Sequence, residues 1–292
     1  MTTRLVAGTH SLVIGEILWD RFPDAARLGG APLNFAAQLQ RLGHAPRLVS
    51  AVGVDAAGDE AVRIIRGLGL DDTWLQSTAR FSTGAATIGA GPAGEPVFNI
   101  ERPAAYNGVE LSDAEIEQIA RWNPAWLYYG TLFSSCLNGK RTLDRLLKQL
   151  PNATRFYDLN LRPGFNDPSL VAGLLREAQI VKLNEEELTV VCRHNDLPSD
   201  AQRFCREGRS RYGWRAAAIT LGARGCALLA GDDFVEAPGV PVTVVDTVGA
   251  GDAFAAAFLH GLASKWPAAT IADFSNRAGA AVAAISGAIP VQ

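Results

Sequence analysis

Residues 246–252 are the stretch of this 292-residue chain whose residue types and spacing best suit chemistry, and they read Asp-Thr-Val-Gly-Ala-Gly-Asp. Gly249, Ala250 and Gly251 leave backbone N–H groups accessible, and a helix that begins there adds partial positive charge, so the segment can hold an anion. Asp252, an acid beside that anion site, suits a general base that removes a hydroxyl proton while the N–H groups hold a transferring phosphoryl group.

The flanking sequence predicts the elements that position these residues. The β-branched run Val242 to Val245 favours a strand, and Phe254, Phe258 and Leu262 recur every fourth residue, as on one face of a helix. A structural alternative is a glycine turn in which Asp252 only caps the helix, a position that Asp fills well. That alternative is favoured for an isolated Gly-x-Gly-Asp, whereas the full string is much more specific.

The full string resembles the C-terminal signature of the ribokinase-like (PfkB-type) carbohydrate kinases. The N-terminal region is similar to the same family, because an Asp follows the first predicted strand and Gly-Gly-x-x-x-Asn opens the first predicted helix. In that family the Asp accepts hydrogen bonds from sugar hydroxyls, and the glycines and Asn line the same pocket. By position, the resemblance implies that the sugar is bound by Asp20, Gly29, Gly30 and Asn34.

A first polar cluster, Asp158-Leu-Asn160-Leu-Arg162, follows a predicted strand. Sites in open α/β sheets gather beyond the carboxyl ends of the strands, so these side chains are candidates. Arg162 could contact a transferring phosphate or a sugar oxygen, and Asn160 would lie on the sugar side. The structural alternative is an Asp158–Arg162 pair that only holds a loop.

A second cluster, Lys182-Leu-Asn184-Glu-Glu-Glu187, follows the next predicted strand. Asn184 and Glu187 are one helical turn apart and match the family's Asn-x-x-Glu motif, which positions hydrated Mg²⁺ and the phosphates of ATP. An indirect role suits Mg²⁺, which retains several of its waters. The resemblance therefore implies that Lys182, Asn184 and Glu187 lie at the nucleotide, although an acidic first helical turn can also be purely structural.

The remaining candidate nucleotide residues lie near the C-terminus. Thr220, Gly222 and Gly225 belong to a segment similar to the family's nucleotide loop, in which glycines admit the ATP phosphates and ribose. Asn276 falls where the family packs a helix of small residues beside adenine. Both motifs are weak when taken singly.

Many members of the family also bind a monovalent cation such as K⁺. The resemblance places such an ion at Asp246 and the backbone near Val248. Whether this chain binds one is left open by the sequence.

Apolar segments with strand and helix periodicity alternate along the chain, as expected for an α/β fold. The predicted strands include Ser11 to Glu16, Arg47 to Val52, Ala125 to Tyr129, Arg155 to Leu159, Ile180 to Leu183 and Ala216 to Thr220, and the predicted helices include 139–150, 169–178, 185–192 and 200–212. Ser112 with Glu115, and Ser199 with Gln202, predict capping boxes at two helix starts.

Residues 80–107 depart from this alternation. Ala85 to Ala90 and Pro96 to Ile100 read as two strands with no helix between them. Together with residues 17–28 they predict a small sheet outside the main one, the alternative being a surface hairpin. The resemblance implies a three-layer ribokinase-like fold, one domain over residues 1–292, in which the small sheet is a lid that keeps water from the phosphoryl group.

Composition excludes several other classes of function. The net charge is −3, so no basic surface is expected for nucleic acid. The four cysteines lie far apart without Cys-x-x-Cys spacing, which argues against a zinc site or a disulfide framework. The apolar segment from Gly279 to Val291 is too short to span a bilayer, and no signal-peptide pattern occurs, so a cytoplasmic protein is expected.

The resemblance implies ATP- and Mg²⁺-dependent transfer of a phosphoryl group to a primary hydroxyl of a sugar. The segments 15–20, 28–36 and 99–106 look most like those of bacterial fructokinases, so fructose is the expected substrate and fructose 6-phosphate the product. The alternatives are another sugar, such as 2-keto-3-deoxygluconate or ribose, and a non-catalytic sugar- or nucleotide-binding regulator. A homodimer through the lid sheet is a further expectation, since relatives often associate in this way.

Overall fold

The computed structural model describes residues 10–22, 25–90 and 96–289. Its strands are β1 (His10–Ile14), β2 (Leu18–Arg21), β3 (Ala26–Gly29), β4 (Ala45–Gly53), β5 (Leu75–Thr78), β6 (Gly84–Ala90), β7 (Pro96–Ile100), β8 (Trp126–Gly130), β9 (Thr154–Asp158), β10 (Ile180–Asn184), β11 (Ala216–Thr220), β12 (Cys226–Ala230) and β13 (Asp233–Ala237). Its helices are α1 (Ala31–Arg41), α2 (Ala56–Gly67), α3 (Asp113–Trp122), α4 (Thr131–Ser134), α5 (Leu137–Gln149), α6 (Pro168–Glu177), α7 (Glu185–Asn195), α8 (Ala201–Tyr212), α9 (Ala250–Ala263) and α10 (Ala268–Ala283).

Within these described ranges the main sheet has nine strands in the order β13-β12-β11-β10-β9-β8-β1-β4-β5. All neighbouring pairs from β11 to β5 are parallel, whereas β12 and β13 form an antiparallel extension at one edge. The predicted mostly parallel sheet is therefore confirmed. Its parallel strands end along one edge, which is where open α/β sheets place their ligands.

Helices cover both faces of this sheet and produce three layers. Leu12 and Ile14 of β1 belong to an apolar cluster with α3, α5, α6, α7 and α8, while Val13, between them, packs with α1, α2, α9 and α10. Alternate side chains of a strand point to opposite faces, so a strand buried on both faces reads as a continuous apolar run. The α/β fold predicted from the alternating pattern and the three layers implied by the family resemblance are confirmed.

The second, smaller sheet has the order β3-β2-β6-β7 and unites the two predicted lid segments. β2 pairs with β3 antiparallel and with β6 parallel, and β6 pairs with β7 antiparallel. A side chain on Gly84 would come within 2.7 Å of the carbonyl oxygen of Ile17, so the close approach of β6 to β2 requires glycine there. Residues 91–95, between β6 and β7, lie outside the described residues, and so does the predicted connection of Gly91 to Gly94.

Two local expectations are wrong. Val242 to Val245 form no strand but a loop, in which Val244 and Val245 are 59% and 60% exposed and the N–H of Val245 donates to the carbonyl oxygen of Ala283 at the end of α10. The cap of α8 is Asp200, which accepts a hydrogen bond from the N–H of Arg203, and not Ser199 with Gln202. The capping box of Ser112 with Glu115 is confirmed.

No helix in the described ranges is long and apolar enough to cross a bilayer.

Candidate active site

A cavity of about 620 Å³ lies between the carboxyl edge of the main sheet and the small sheet. The small sheet contributes Leu18 and Asp20 from β2, Ala86 from β6 and Ile100 from β7. Most of the predicted site residues also line it, namely Asp20, Gly30, Asn34, Asn160, Arg162, Lys182, Asn184, Glu187, Thr220, Val248, Gly249, Gly251 and Asp252. Residues separated by more than 200 positions in the sequence thus share one cavity.

Asp252 is buried in the first turn of α9 at the wall of this cavity. Its Oδ2 accepts a hydrogen bond from Nδ2 of Asn34 at 2.8 Å. The pKa of Asp252 is raised from 3.8 to about 6, first by burial and then by the charge of Asp158, against the lowering effects of Lys182, Asn34 and Arg162. A carboxylate whose pKa lies this close to neutrality is suited to accept a proton from a hydroxyl.

Of the glycines before Asp252, Gly249 is required by the local backbone, whereas Gly251 leaves room for the side chain of Lys182. Gly249 has φ = 81°, and a side chain there would come within 2.2 Å of Cβ of Ala288. Gly251 lines the cavity, and a side chain on it would approach Nζ of Lys182 to 3.1 Å. Ala250 differs from its expected role in the anion site. Its N–H donates to the carbonyl oxygen of Thr247 at 3.2 Å, and it is not among the residues that line the cavity.

A buried ion pair lies beside Asp252. Nζ of Lys182 is 3.1 Å from Oδ1 of Asp158, and the hydroxyl of Tyr128 donates to Oδ2 of Asp158 at 3.1 Å. Burial alone would lower the pKa of Lys182, but the charges of Asp158, Glu187 and Asp252 raise it, so the ammonium is retained. Asp158 therefore pairs with Lys182. This pair accounts for the buried Asp158 carboxylate without the alternative Asp158–Arg162 pair.

The candidate sugar residues converge from β2, β3 and α1. A side chain on Gly29 would lie 2.5 Å from Oδ2 of Asp20, so glycine at this position makes room for the Asp20 carboxylate. Gly30 is the N-cap of α1 with φ = 104°, a value that favours glycine. Burial raises the pKa of Asp20 from 3.8 to about 7, with Arg162 lowering it and Asp252 raising it.

Asn184 and Glu187 form a reciprocal capping box at the start of α7. The Glu187 N–H donates to Oδ1 of Asn184, and Oε2 of Glu187 accepts from the Asn184 N–H, both at 2.8 Å. Oε1 of Glu187 accepts from the N–H of Leu161 at 2.7 Å. Both carboxylate oxygens are thus engaged by the backbone, and no group of three or more His, Cys, Asp or Glu in the described ranges could hold a metal ion.

Gly222, Gly225 and Asn276 do not line the cavity, in contrast to Thr220. Nδ2 of Asn276 donates to the carbonyl oxygens of Ala237 and Pro238, at 3.3 and 3.0 Å. A side chain on Gly225, where φ is 99°, would come within 2.0 Å of the Ala237 oxygen. In this structure Asn276 and Gly225 hold the loop that follows β13.

Asp246, the candidate cation ligand, already has a cationic partner. Its Oδ2 lies 3.1 Å from Nη1 of Arg27 on β3 and accepts from the N–H of Gly287 at 3.0 Å. Its Oδ1 accepts from the N–H of Val248 at 3.0 Å. The Arg27 guanidinium also lies 4.8 Å above the ring of Phe22. One ion pair therefore joins the small sheet to the loop before α9, an arrangement that the sequence did not indicate.

Sequence reasoning also missed Glu16, Leu18, Ala86, Ile100 and Leu132, which line the cavity. The four apolar residues carry no chemical signal in the sequence. Glu16 carried one that was not used, since it is an acid placed directly after a buried strand.

Comparison with known proteins agrees with this geometry. The model of the pfkB family of carbohydrate kinases matches residues 25–292. A fructokinase of Escherichia coli is 28% identical over 297 residues, which cover 95% of this chain and 94% of that protein.

Two solved structures have the same fold. A fructokinase of Xylella fastidiosa with bound ATP superposes with a TM-score of 0.81 at 23% identity, covering 97% of this chain and 94% of that one. A fructokinase of Vibrio cholerae O395, with fructose, ADP and calcium ion bound, gives a TM-score of 0.79 at 20% identity, covering 97% and 95%. Since the family model spans most of its length, this chain belongs to the pfkB family of carbohydrate kinases.

Proposed function

We propose that this protein transfers the γ-phosphoryl group of ATP to the primary hydroxyl of fructose, giving fructose 6-phosphate. The main support for phosphoryl transfer is the environment of Asp252. It is a buried carboxylate with a pKa raised to about 6, next to glycines at the start of α9. Membership of the pfkB family supports a sugar as the acceptor, and the relatives named fructokinase support fructose. The relatives' ATP complexes support ATP as the donor.

In this mechanism Asp252 accepts the proton of the hydroxyl as its oxygen attacks the γ-phosphorus, and the bond from the γ-phosphorus to the bridging oxygen breaks to release ADP. The N–H groups of Gly249 and Gly251 and the guanidinium of Arg162 stabilise the negative charge of the transferring group. The Lys182 ammonium keeps Asp158 neutralised, so that Asp252 is not paired with a second free carboxylate. The sugar would be held by Asp20, Gly29, Gly30, Asn34 and Asn160, and the nucleotide by Lys182, Asn184, Glu187 and Thr220. Gly222, Gly225 and Asn276 do not line the cavity, so they would act on the nucleotide only through the loops they belong to or hold.

The residues present fit a magnesium ion that is held mainly by phosphate oxygens and water. Both oxygens of Glu187 are occupied by backbone N–H groups, so Asn184 and Glu187 would act on the ion through water. Bound to the phosphates, Mg²⁺ would supply positive charge to the group being transferred.

A panel of sugars with ATP, read by coupled detection of ADP, tests the proposal. Fructose is expected to have the highest kcat/KM among fructose, ribose, glucose and 2-keto-3-deoxygluconate. If no sugar in the panel leads to release of ADP, the proposed kinase activity is wrong. If another sugar has a higher kcat/KM than fructose, only the assignment of fructose as the substrate is wrong. The Asp252→Asn variant, purified in the same way, controls for contaminating kinases.

A further inference from the structure

Glu187 connects the start of α7 to the turn that follows β9. Its Oε2 accepts a hydrogen bond from the N–H of Asn184 at 2.8 Å, which is the usual contact of a capping box at a helix start. Its Oε1 accepts another, at 2.7 Å, from the N–H of Leu161, 26 positions earlier in the chain. A helix cap requires only the first of these contacts, so the second has a different purpose.

The turn after β9 carries two of the proposed site residues. Asn160 and Arg162 line the cavity, and Leu161 lies between them in the sequence. The N–H of Leu159 still donates to the carbonyl oxygen of Lys182 on β10, at 3.0 Å. The backbone then leaves the direction of the strand at Asn160, where φ is 42°, in the left-handed region that Asn tolerates better than most residues.

The Glu187 carboxylate supplies the acceptor for this turn. It is 7% exposed, and burial raises its pKa, while the Lys182 ammonium and the N–H groups of Asn184 and Leu161 lower it. A buried carboxylate is stable in a protein only where such partners hold it, and hydrogen bonds to an ionised acceptor are stronger than those between neutral groups. The contact with Leu161 is therefore a firm anchor for the turn.

The anchor limits the freedom of the residues on either side of it. On the other side of Asn160, the carbonyl oxygen of Leu159 accepts a hydrogen bond from Oγ1 of Thr131 at 2.5 Å. The turn is thus held both before and after Asn160, and the second hold is also directly before Arg162. A displacement of about 1 Å in a group that stabilises a transition state can cost about 10²-fold in rate.

We propose that Glu187 is a positioning residue, whose contact with the Leu161 N–H holds Asn160 and Arg162 in the cavity. This inference rests on the proposed function and gives Glu187 a role in addition to its proposed action on Mg²⁺ through water. A residue expected on the nucleotide side thereby determines the geometry of the groups that face the sugar and the transferring phosphoryl group.

The test is Glu187→Gln, which keeps the size of the side chain but offers one acceptor oxygen and an NH₂ group to two N–H donors. At saturating Mg²⁺ its kcat is expected to fall by about tenfold to 10²-fold, and Glu187→Ala, which removes both acceptors, should lose at least as much. In an Arg162→Ala background the Glu187→Gln substitution should lower kcat little further, because the residue that it positions is already absent.

Two matched controls separate positioning from other effects of the substitution. Glu115 forms the same reciprocal capping box with Ser112 at the start of α3, is partly exposed and does not line the cavity. Glu115→Gln should therefore lower Tm without changing kcat. Glu185→Gln removes the same charge from the first turn of α7, where Glu185 is exposed and paired with Arg224, and should also leave kcat unchanged.

Amide hydrogen exchange provides a measurement that does not require turnover. Peptides covering residues 159–165 should exchange faster in Glu187→Gln than in the wild type, because the Leu161 N–H has lost its acceptor, and they should be unchanged in Glu115→Gln. Equal exchange in Glu187→Gln and the wild type would show that Glu187 does not hold the turn.

Three kinetic results would also overturn the inference while leaving a sugar kinase in place. They are an unchanged kcat in Glu187→Gln, a kcat that excess Mg²⁺ restores to the wild-type value, and losses in Glu187→Gln and Arg162→Ala that multiply in the double variant. The second would assign Glu187 to the ion alone. Absence of turnover by the wild type with every sugar would instead remove the proposed function, and the exchange comparison would still decide whether Glu187 holds the turn.

Discussion

At the scale of single residues, this site depends on carboxyl groups whose pKa values are raised by burial. Asp252, Asp20 and Glu16 lie in one cavity, and each is desolvated and subject to repulsion from a neighbouring carboxylate. Arg162 opposes the shift at all three. The balance brings their pKa values towards neutrality, where a carboxylate is an effective base for a hydroxyl proton.

Replacing Asp252 by Asn should reduce kcat by about 10²–10⁴-fold, the usual contribution of a general base. The amide preserves the shape of the side chain, so the Kd values of sugar and ATP should change little. Stopped-time assays of product and calorimetric titrations measure the two effects separately. Near-normal turnover would show that Asp252 is not the base; it would not make Asp252 a helix cap, since the N-cap of α9 is Gly249.

The pH dependence of kcat should have an acidic limb near pH 6. Since the pKa of Asp252 is raised from 3.8 to about 6, lowering the pH through 6 protonates the base and the rate falls, whereas an unshifted Asp would stay active to about pH 4. The Asn34 hydrogen bond lowers this pKa, so Asn34→Ala should move the limb of kcat to higher pH. A wild-type limb near pH 4 would contradict the assignment.

At the scale of secondary-structure elements, the small sheet and the loop before α9 are joined by one ion pair. Arg27 of β3 lies opposite Asp20 of β2 in the strand register and reaches Asp246, whose other oxygen holds the Val248 N–H. The sugar side and the anion-binding turn are therefore mechanically connected. Because the guanidinium already lies at the Asp246 carboxylate, a monovalent cation is not needed there to balance its charge.

The wild-type enzyme should accordingly turn over at similar rates in K⁺ and Na⁺ buffers of equal ionic strength. Arg27→Ala removes the internal cation, so its kcat should fall in Na⁺ and recover in part when K⁺ takes the vacated position. Arg21→Ala is the matched control, since Arg21 pairs with Glu101 on the same sheet at 52% exposure of both side chains. Strong activation of the wild type by K⁺ would instead support the cation site implied by the family.

The proposed lid motion can be followed by amide hydrogen exchange. Sugar binding should slow exchange in β2, β3, β6 and β7, because closure over the cavity removes water from their backbone groups. ATP alone should protect residues 220–225 and the loop before α9 without protecting the small sheet. Peptides from α8 serve as an internal reference, and unchanged exchange in β6 and β7 at saturating sugar would remove the lid from the mechanism.

At the scale of the whole molecule, one sheet runs through nearly the entire chain. Its strands extend from β1 to β13, and α9, far along the chain, packs against α1 from near its beginning and against α10. No element of the sheet can bury both of its faces without partners that are distant in sequence. We therefore propose that the described residues form a single domain; its association into dimers through the small sheet stays a prediction.

A single domain should unfold as one cooperative unit. Urea transitions monitored by far-ultraviolet circular dichroism and by tryptophan fluorescence should coincide, because Trp74 and Trp214 are buried in the same apolar cluster. Two resolved transitions, or midpoints that differ between the probes, would indicate units that fold separately. Light scattering on the same samples before denaturation reports the oligomeric state.

What the sequence by itself determined was local in character. The strand and helix alternation, the Ser112–Glu115 cap and the glycines before Asp252 depend on neighbours within a few positions, so the pattern of residues was sufficient. The small sheet was also predicted, because two strands without a helix between them interrupt a regular alternation and the family resemblance favoured a small sheet over a surface hairpin. The strand expected at Val242 to Val245 did not form, since β propensity depends on context and here the N–H of Val245 bonds the carbonyl of Ala283, which is distant in sequence.

Only the tertiary structure decided which residues share the cavity and which charges meet. Arg27 and Asp246 are 219 positions apart, and Asn34 and Asp252 are 218 apart, so no short motif records either contact. The use of Asn276 and Gly225 to hold a loop, and the contact of Glu187 with the Leu161 N–H, likewise depend on distant chain segments. The raised pKa values follow from desolvation, which exists only once the surrounding elements have packed and removed water from the acids.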